Sequence, residues 1–151
     1  QNRPMFASGS SIVQPYMREL LQAIGSVLAE VPNKLTLEGH TDAAAFGGGA
    51  AGYSNWELSA DRANASRREL IAGGLADTQV LRVQGLAASM PFDREQPLNP
   101  INRRISLIVM NRDAEERFHR AAEAAGATQA EETVGAGIVP PLPSSPAPDA
   151  R

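Results

Sequence analysis

The sequence predicts an α/β (α+β) sandwich in which helices pack on one face of a small mixed sheet. Two helical stretches, one at residues 15–31 and one between Ser54 and Gly73, alternate with short strand patterns. Residues 34–40 alternate between the two faces as a half-buried strand does, and residues 104–110 are apolar on both faces. The predicted order is β-α-β-α-β-β, and two helices of this length can cover one face of such a sheet.

Composition limits the classes of function. A chain of 151 residues corresponds to about one domain, and 42% hydrophobic residues can supply a buried core. The net charge of −3 argues against a domain that binds polyanions. Without cysteine there is no disulfide framework, thiolate metal site or thiol nucleophile. No apolar run approaches the roughly 18 residues of a membrane span, and a start without Met leads us to interpret the sequence as an excised or processed soluble portion.

The first predicted elements are a strand and a helix. Residues 4–7 form a short apolar run that ends at Ser8-Gly9-Ser10, which indicates an opening strand. Pro15 suits the first turn of the following helix, where its missing N–H costs nothing, and Pro32 stops that helix. Its apolar residues recur at helical spacing and predict one buried stripe: Met17, Leu20, Leu21, Ile24, Val27, Leu28 and Val31.

A strand, a loop and a capped helix follow. The strand at residues 34–40 leads into a segment of Ala and Gly, residues 42–52, whose single large side chain is Phe46. Ser54 and Glu57 have the spacing of a capping box, so a helix is expected to begin there. Gly73-Gly74 ends that helix.

The remaining chain predicts two strands and a non-globular end. Residues 80–86 read as a third strand, residues 87–101 as a Pro-rich loop, and residues 104–110 as a fourth strand at the centre of the sheet. Residues 113–125 have the composition of a peripheral helix, and residues 126–151 that of a disordered tail. The predicted organisation is therefore a domain at 1–112, this helix, and the tail.

An acid and an arginine are the first candidate site. Asp42 lies just past a strand end, where ligand groups collect in strand–loop–helix units, and Arg62 lies about two turns into the next helix. An Asp there can hold an ammonium group, and an Arg can grip a carboxylate through two parallel hydrogen bonds. The pair suits a ligand that carries both an amine and a carboxylate. A structural Asp42–Arg62 salt bridge explains the spacing equally well.

The residues around Asp42 also allow other kinds of site. Glu38, His40 and Asp42 share one strand face by alternation and resemble a metal-ligand set. His40 and Asp42 with Ser54 or Ser59 would give a hydrolase triad, although no G-x-S-x-G or H-E-x-x-H motif supports either interpretation. Trp56 suits packing better than a sugar platform.

Four separated motifs carry a resemblance to a known family. Gly39-His40-Thr41-Asp42, Leu58-Ser59-x-x-Arg62-Ala63, Gly85 with Pro91 beyond it, and Asn102-Arg103-Arg104-Ile105 together resemble the OmpA-like peptidoglycan-binding domain over about residues 5–110. The resemblance implies that fold, no catalysis, no metal and no cofactor. It also implies that Asp42 and Arg62 clamp the diaminopimelate of a peptidoglycan stem peptide. The positions that match around the same groove are Thr41, Asn55, Leu58, Asn102 and Arg103.

Residues 52–70, 80–90 and 102–111 are similar, more narrowly, to the wall-anchoring subunits of the bacterial flagellar stator. That resemblance implies a periplasmic homodimer and a preceding transmembrane segment that conducts ions with a partner subunit. Two alternatives are a metal-dependent wall amidase using His40 and Asp42, and a pure dimerisation domain. The segment between Asp42 and Arg62 is longer than in typical members of the OmpA-like family and is nearly all Ala and Gly up to residue 52.

Overall fold

The structure of the protein is a computed structural model that describes residues 3–46 and 52–135, with side chains described for 3–46 and 52–126. The chain divides into two compact units, Gln1–Arg112 and Asp113–Arg151. Each unit is described by itself below.

The first unit holds two helices and a three-stranded mixed sheet. Its elements in chain order are α1 (Pro15–Leu28), β1 (Leu35–Gly39), α2 (Asn55–Ala72), β2 (Val80–Gly85) and β3 (Ile105–Val109), with 3₁₀ turns at Asp77–Gln79 and Pro100–Asn102. The sheet order is β2-β1-β3, with β1 parallel to β2 and antiparallel to β3. The predicted fold class, helices against a small mixed sheet, is confirmed.

The placement of the last strand differs from the prediction. β3 lies at one edge of the sheet, and Ile108 and Val109 remain 43% and 45% exposed. β1 takes the centre, where Leu35 and Leu37 are fully buried and Thr36 on the opposite face is buried as well. An apolar sequence shows that a strand has few polar side chains, but it does not show whether the strand pairs on one side or on both.

The opening run is not a strand of the sheet. Phe6 makes one isolated antiparallel bridge with Val13, although its side chain is fully buried. Phe6 O accepts from Arg103 Nε at 2.9 Å, and Ala7 O accepts from Arg62 Nη2 at 3.1 Å as well as from Ser10 N at 3.2 Å. Two arginine side chains therefore hold the opening segment through its backbone carbonyl groups.

The core lies between α1, α2 and the sheet. Its buried apolar residues are Phe6, Val13, Leu21, Leu35, Leu37, Leu70 and Leu75. On α1 the buried stripe is narrower than predicted, because Leu20 and Val27 are 49% and 65% exposed. A Cβ on Gly25 would lie 2.1 Å from the Leu70 carbonyl oxygen, so α1 approaches α2 closely at this glycine. Leu20 and Val27 remain exposed.

The predicted capping box of α2 is confirmed. Ser54 Oγ accepts a hydrogen bond from Trp56 N at 3.2 Å, and Glu57 Oε2 accepts one from Ser54 N at 2.6 Å. The helix ends at Gly73, and Gly74 continues with φ +121°, a conformation that side-chain-bearing residues rarely adopt. Both ends of α2 are therefore fixed by local sequence.

Ser54→Ala is expected to lower the free energy of unfolding by about 1 kcal/mol, because it removes the acceptor that satisfies a free N–H of the first helical turn. Urea titration followed by circular dichroism measures this loss. Ser54→Thr keeps the acceptor oxygen and serves as the control. Equal stability of the Ala and Thr variants would contradict a role for the cap.

Helix α3, Arg112–Gly135, begins at the last residue of the first unit and forms the described part of the second. It continues well past residue 125, where the sequence had predicted the helix to end and a disordered tail to begin. Residues 127–132 include Ala, Gln and Glu, which favour a helix and are compatible with its extension. The rest of the predicted tail, residues 136–151, lies outside the described residues. None of the helices in the described part of the chain is long and apolar enough to cross a membrane.

Candidate functional site

A pocket of about 340 Å³ opens between the end of β1 and the start of α2. Five residues predicted for the site line it: Thr41, Asp42, Asn55, Leu58 and Arg62. The sequence analysis did not identify the other lining residues, which are Ser8, Gly9, Ala44, Ala45 and Phe46. The strand–loop–helix unit thus brings the five predicted residues to one pocket.

The segment after β1 is held on both sides by backbone hydrogen bonds. His40 N donates to Arg104 O and Thr41 N donates to Ala87 O, both at 2.9 Å. Ala43 N donates to Pro97 O, also at 2.9 Å. The connection between β2 and β3 therefore fixes the backbone around Asp42.

Asp42 forms its ion pair with Arg103. Its Oδ2 accepts from Arg103 Nη1 at 3.0 Å, and its Oδ1 accepts from Ala44 N at 3.1 Å. Both side chains are largely buried. The alternative of a structural Asp42–Arg62 salt bridge is therefore wrong. The ion-pair partner of Asp42 is Arg103, which was predicted to lie around the same groove.

Arg62 is bound to backbone carbonyls. With 1% of its surface exposed, it donates from Nε to Ser10 O at 2.8 Å, from Nη1 to His40 O at 3.1 Å and from Nη2 to Ala7 O at 3.1 Å. Its guanidinium also lies 5.1 Å from the centre of the Phe6 ring. These contacts use three of the five N–H groups of an arginine, so two remain for a ligand.

Arg62 stays charged at neutral pH although its surroundings lower its pKa. Burial lowers the pKa of Arg62 to about 10, an effect that Asp42 opposes and Arg103 reinforces. The guanidinium is thus charged at neutral pH. A positive group with two free N–H groups lines the same pocket as the carboxylate of Asp42.

Three other predicted residues line the pocket, and each makes a different contribution. Thr41 Oγ1 is buried and has no hydrogen-bond partner in the described part of the chain, so a ligand could supply one. Asn55 Nδ2 donates to Ala44 O at 2.9 Å and ties the loop to the start of α2. Leu58 supplies an apolar surface to the pocket.

Asn102 does not line the pocket. It is fully buried, accepts from Asp93 N at 2.8 Å, and donates from Nδ2 to Gln96 O and Pro97 O at 3.2 Å each. These bonds shape the loop before β3. Its neighbour Arg103 is brought to the site by its ion pair with Asp42.

The metal interpretation is not supported. Glu38 Oε1 accepts from Gln84 Nε2 at 2.7 Å, and His40 Nε2 lies 3.2 Å from Ser106 Oγ, whereas Asp42 turns to its arginine. Residues 38 and 40 thus face the neighbouring strands. No group of three or more His, Cys, Asp or Glu side chains in the described ranges could hold a metal ion.

The hydrolase triad is likewise not assembled. Ser59 is fully buried, donates to Trp56 O at 2.9 Å and accepts from Ala87 N at 3.0 Å. Ser54 is occupied by the helix cap. Trp56 is exposed but lies outside the pocket lining, which gives no support to its role as a sugar platform in this site.

The buried His40 predicts an acid-sensitive fold. Burial, reinforced by the Arg104 guanidinium and opposed by Glu38, lowers the pKa of His40 from 6.5 to about 4. The unfolded chain therefore takes up a proton near pH 6.5 and the folded chain only near pH 4. Its contribution to stability is complete above pH 6.5 and falls as the pH drops towards 4.

His40→Gln is expected to flatten the decline of stability between about pH 6.5 and pH 4, since glutamine takes up no proton. Urea unfolding of both proteins across this range measures the two slopes. The other acidic groups titrate in both proteins, so the difference between the slopes isolates His40. Parallel pH profiles would contradict the depressed pKa.

Comparison with known proteins connects this geometry to a family. A model of the OmpA family matches residues 5–104 of the chain. The chain is also 51% identical over 150 residues to Motility protein B of Escherichia coli strain K12, and the match covers 96% of this chain and 49% of that protein. The chain thus spans about half the length of this curated relative.

Two solved structures resemble the fold. The peptidoglycan-associated lipoprotein from Burkholderia pseudomallei has a TM-score of 0.57 at 28% identity, covering 71% of this chain and 88% of that one. The periplasmic domain of Helicobacter pylori MotB has a TM-score of 0.63 at 17% identity, covering 82% of this chain and 88% of that one. The second likeness shows a shared fold alone.

Proposed function

The chain belongs to the OmpA family, and from that premise we propose that it is a non-catalytic peptidoglycan-binding domain that anchors a flagellar stator of the MotA/MotB type to the cell wall. The observation that carries the proposal is the pocket in which Asp42 and Arg62 present opposite charges to one ligand-sized space. The identity to Motility protein B supports the stator assignment.

The ligand is the stem peptide of peptidoglycan, held through its diaminopimelate residue. The ammonium group of that residue approaches the Asp42 carboxylate, and its carboxylate takes the two free N–H groups of Arg62. Thr41 offers its unpartnered hydroxyl to the same ligand. Arg103 keeps Asp42 in place by their ion pair, so the acid is oriented before the ligand arrives.

The proposal extends to partners and location. The protein acts in the periplasm as part of a homodimer, joined through an N-terminal membrane segment to MotA in a complex that drives motility. The domain requires no cofactor and is not an enzyme. A different OmpA-type wall anchor is the alternative, and the likeness to the Burkholderia lipoprotein supports it.

Sedimentation with purified sacculi tests the proposed function. The wild-type protein is expected to sediment with them, and soluble muropeptides that contain diaminopimelate are expected to release it. Retention should be the same with and without a chelator, and the sacculi should stay undigested, which separates an anchor from a metal-dependent amidase. Failure of the wild-type protein to bind sacculi or muropeptides would contradict the proposal.

A further inference from the structure

Phe46 has a position that the charged residues of the pocket do not explain. It is the only aromatic residue among the pocket-lining residues in the described part of the chain. It is also the single large side chain in a segment otherwise built of small residues after Asp42. The ring is therefore the one large apolar surface that residues 42–46 supply to the pocket.

The ring is held in place from two sides. Its centre lies 5.0 Å from that of Tyr53, with the two planes tilted by 56°. Tyr53 is itself fixed by a hydrogen bond of 2.5 Å from its hydroxyl to Asp61 Oδ2. On the other side, a Cβ at Gly9 would lie 3.6 Å from a ring carbon of Phe46, so the opening segment passes close to the ring.

A zwitterionic ligand has more than its charged groups to place. The carbon chain between an ammonium and a carboxylate is apolar, and burying it against an apolar side chain favours binding. Asp42 and Arg62 can satisfy only the polar ends of the ligand. Phe46 and Leu58 are the large apolar side chains that line the pocket beside them.

We propose that Phe46 is a specificity-determining residue whose ring packs against the aliphatic part of the bound stem peptide. Tyr53 acts as a positioning residue, since it holds the ring and does not line the pocket. This inference rests on the proposed function and adds an apolar contact to the charged clamp. It also assigns a role in binding to the start of the Ala- and Gly-rich segment.

The test measures the affinity of a soluble muropeptide that carries a diaminopimelate tripeptide, by isothermal titration calorimetry. Phe46→Ala is expected to weaken binding by about five- to tenfold, because it removes a ring of which roughly half the surface contacts the ligand. Phe46→Leu restores an apolar surface and is expected to stay within about twofold of the wild type. This rescue distinguishes a contact with the ligand from a disturbed loop.

Two further variants complete the design. Phe92→Ala makes the same substitution at an exposed ring outside the pocket lining and is expected to leave the affinity unchanged. Asp42→Asn removes the acidic half of the charged clamp and leaves Phe46 in place. If Phe46→Ala binds as tightly as the wild type, or more tightly, while Asp42→Asn loses binding, the role of Phe46 is refuted and the proposed function stands. If the wild type binds no muropeptide, both fail.

Discussion

Asp42→Asn is expected to abolish retention of the protein on purified sacculi while the fold survives. Asparagine keeps the size of the side chain and an oxygen that can accept from Ala44 N, but it removes the charge that faces the ligand ammonium. Removing the Asp42 charge from its proposed pair with the ligand ammonium costs roughly 2–5 kcal/mol of binding free energy in a largely buried site. The affinity should therefore fall by a factor of about thirty or more. Co-sedimentation and calorimetry with a diaminopimelate muropeptide both measure it.

Asp77→Asn is the matched control for this change. Its carboxylate is mostly exposed, pairs with Arg67 and lies outside the pocket lining, so its loss should leave binding intact. Circular dichroism on both variants verifies the fold. A folded Asp42→Asn protein that sediments with sacculi as the wild type does would refute the charged clamp.

Arg62→Ala is expected to damage stability as well as binding. The substitution removes a donor from the carbonyls of Ser10 and His40, leaves Ala7 O with the Ser10 N–H alone, and opens a cavity where a fully buried side chain lay. Each unsatisfied buried group costs about 1–3 kcal/mol, so a total of about 3–5 kcal/mol is expected, a large part of the stability of a small domain. Urea unfolding measures the loss.

Arg67→Ala on the same helix provides the comparison. Its ion pair with Asp77 is largely solvent-exposed, so the expected change is below about 1 kcal/mol. An Arg62→Ala protein with the urea midpoint of the wild type would show that the three carbonyl bonds contribute little. Since the expected destabilisation also disturbs the pocket, Asp42→Asn is the better variant for testing binding.

Local sequence was sufficient for most elements of the fold. The spacing of apolar residues predicted α1, the alternation predicted β1, and Ser54 with Glu57 predicted the start of α2. These signals are local because helix caps and strand faces depend on residues a few positions apart. The neighbours of a strand are set by distant segments, which is why the edge position of β3 could not be read from its own residues.

For the candidate site, the sequence predicted that Asp42 and Arg62 come together but not how each side chain is bound. Strand–loop–helix geometry brought Asp42 and Arg62 to one pocket, but the choice of partner depended on contacts far apart in sequence. Asp42 met Arg103, 61 positions away, and Arg62 turned to the opening segment. Asn102 points inward because it bonds to the loop before β3. The prolines of that loop predicted only that it has no regular structure.

The two arginine contacts to the opening segment have a consequence for folding kinetics. Arg103 and Phe6 lie 97 positions apart, and Arg62 and Ala7 lie 55 apart, so each bond closes a long loop at an entropic cost. Such contacts form late, after local helices and the β1–β2 pairing have reduced the search. The pocket should thus be completed near the end of folding, with φ-values close to zero at both arginines. A partly folded chain would therefore not yet have the complete pocket.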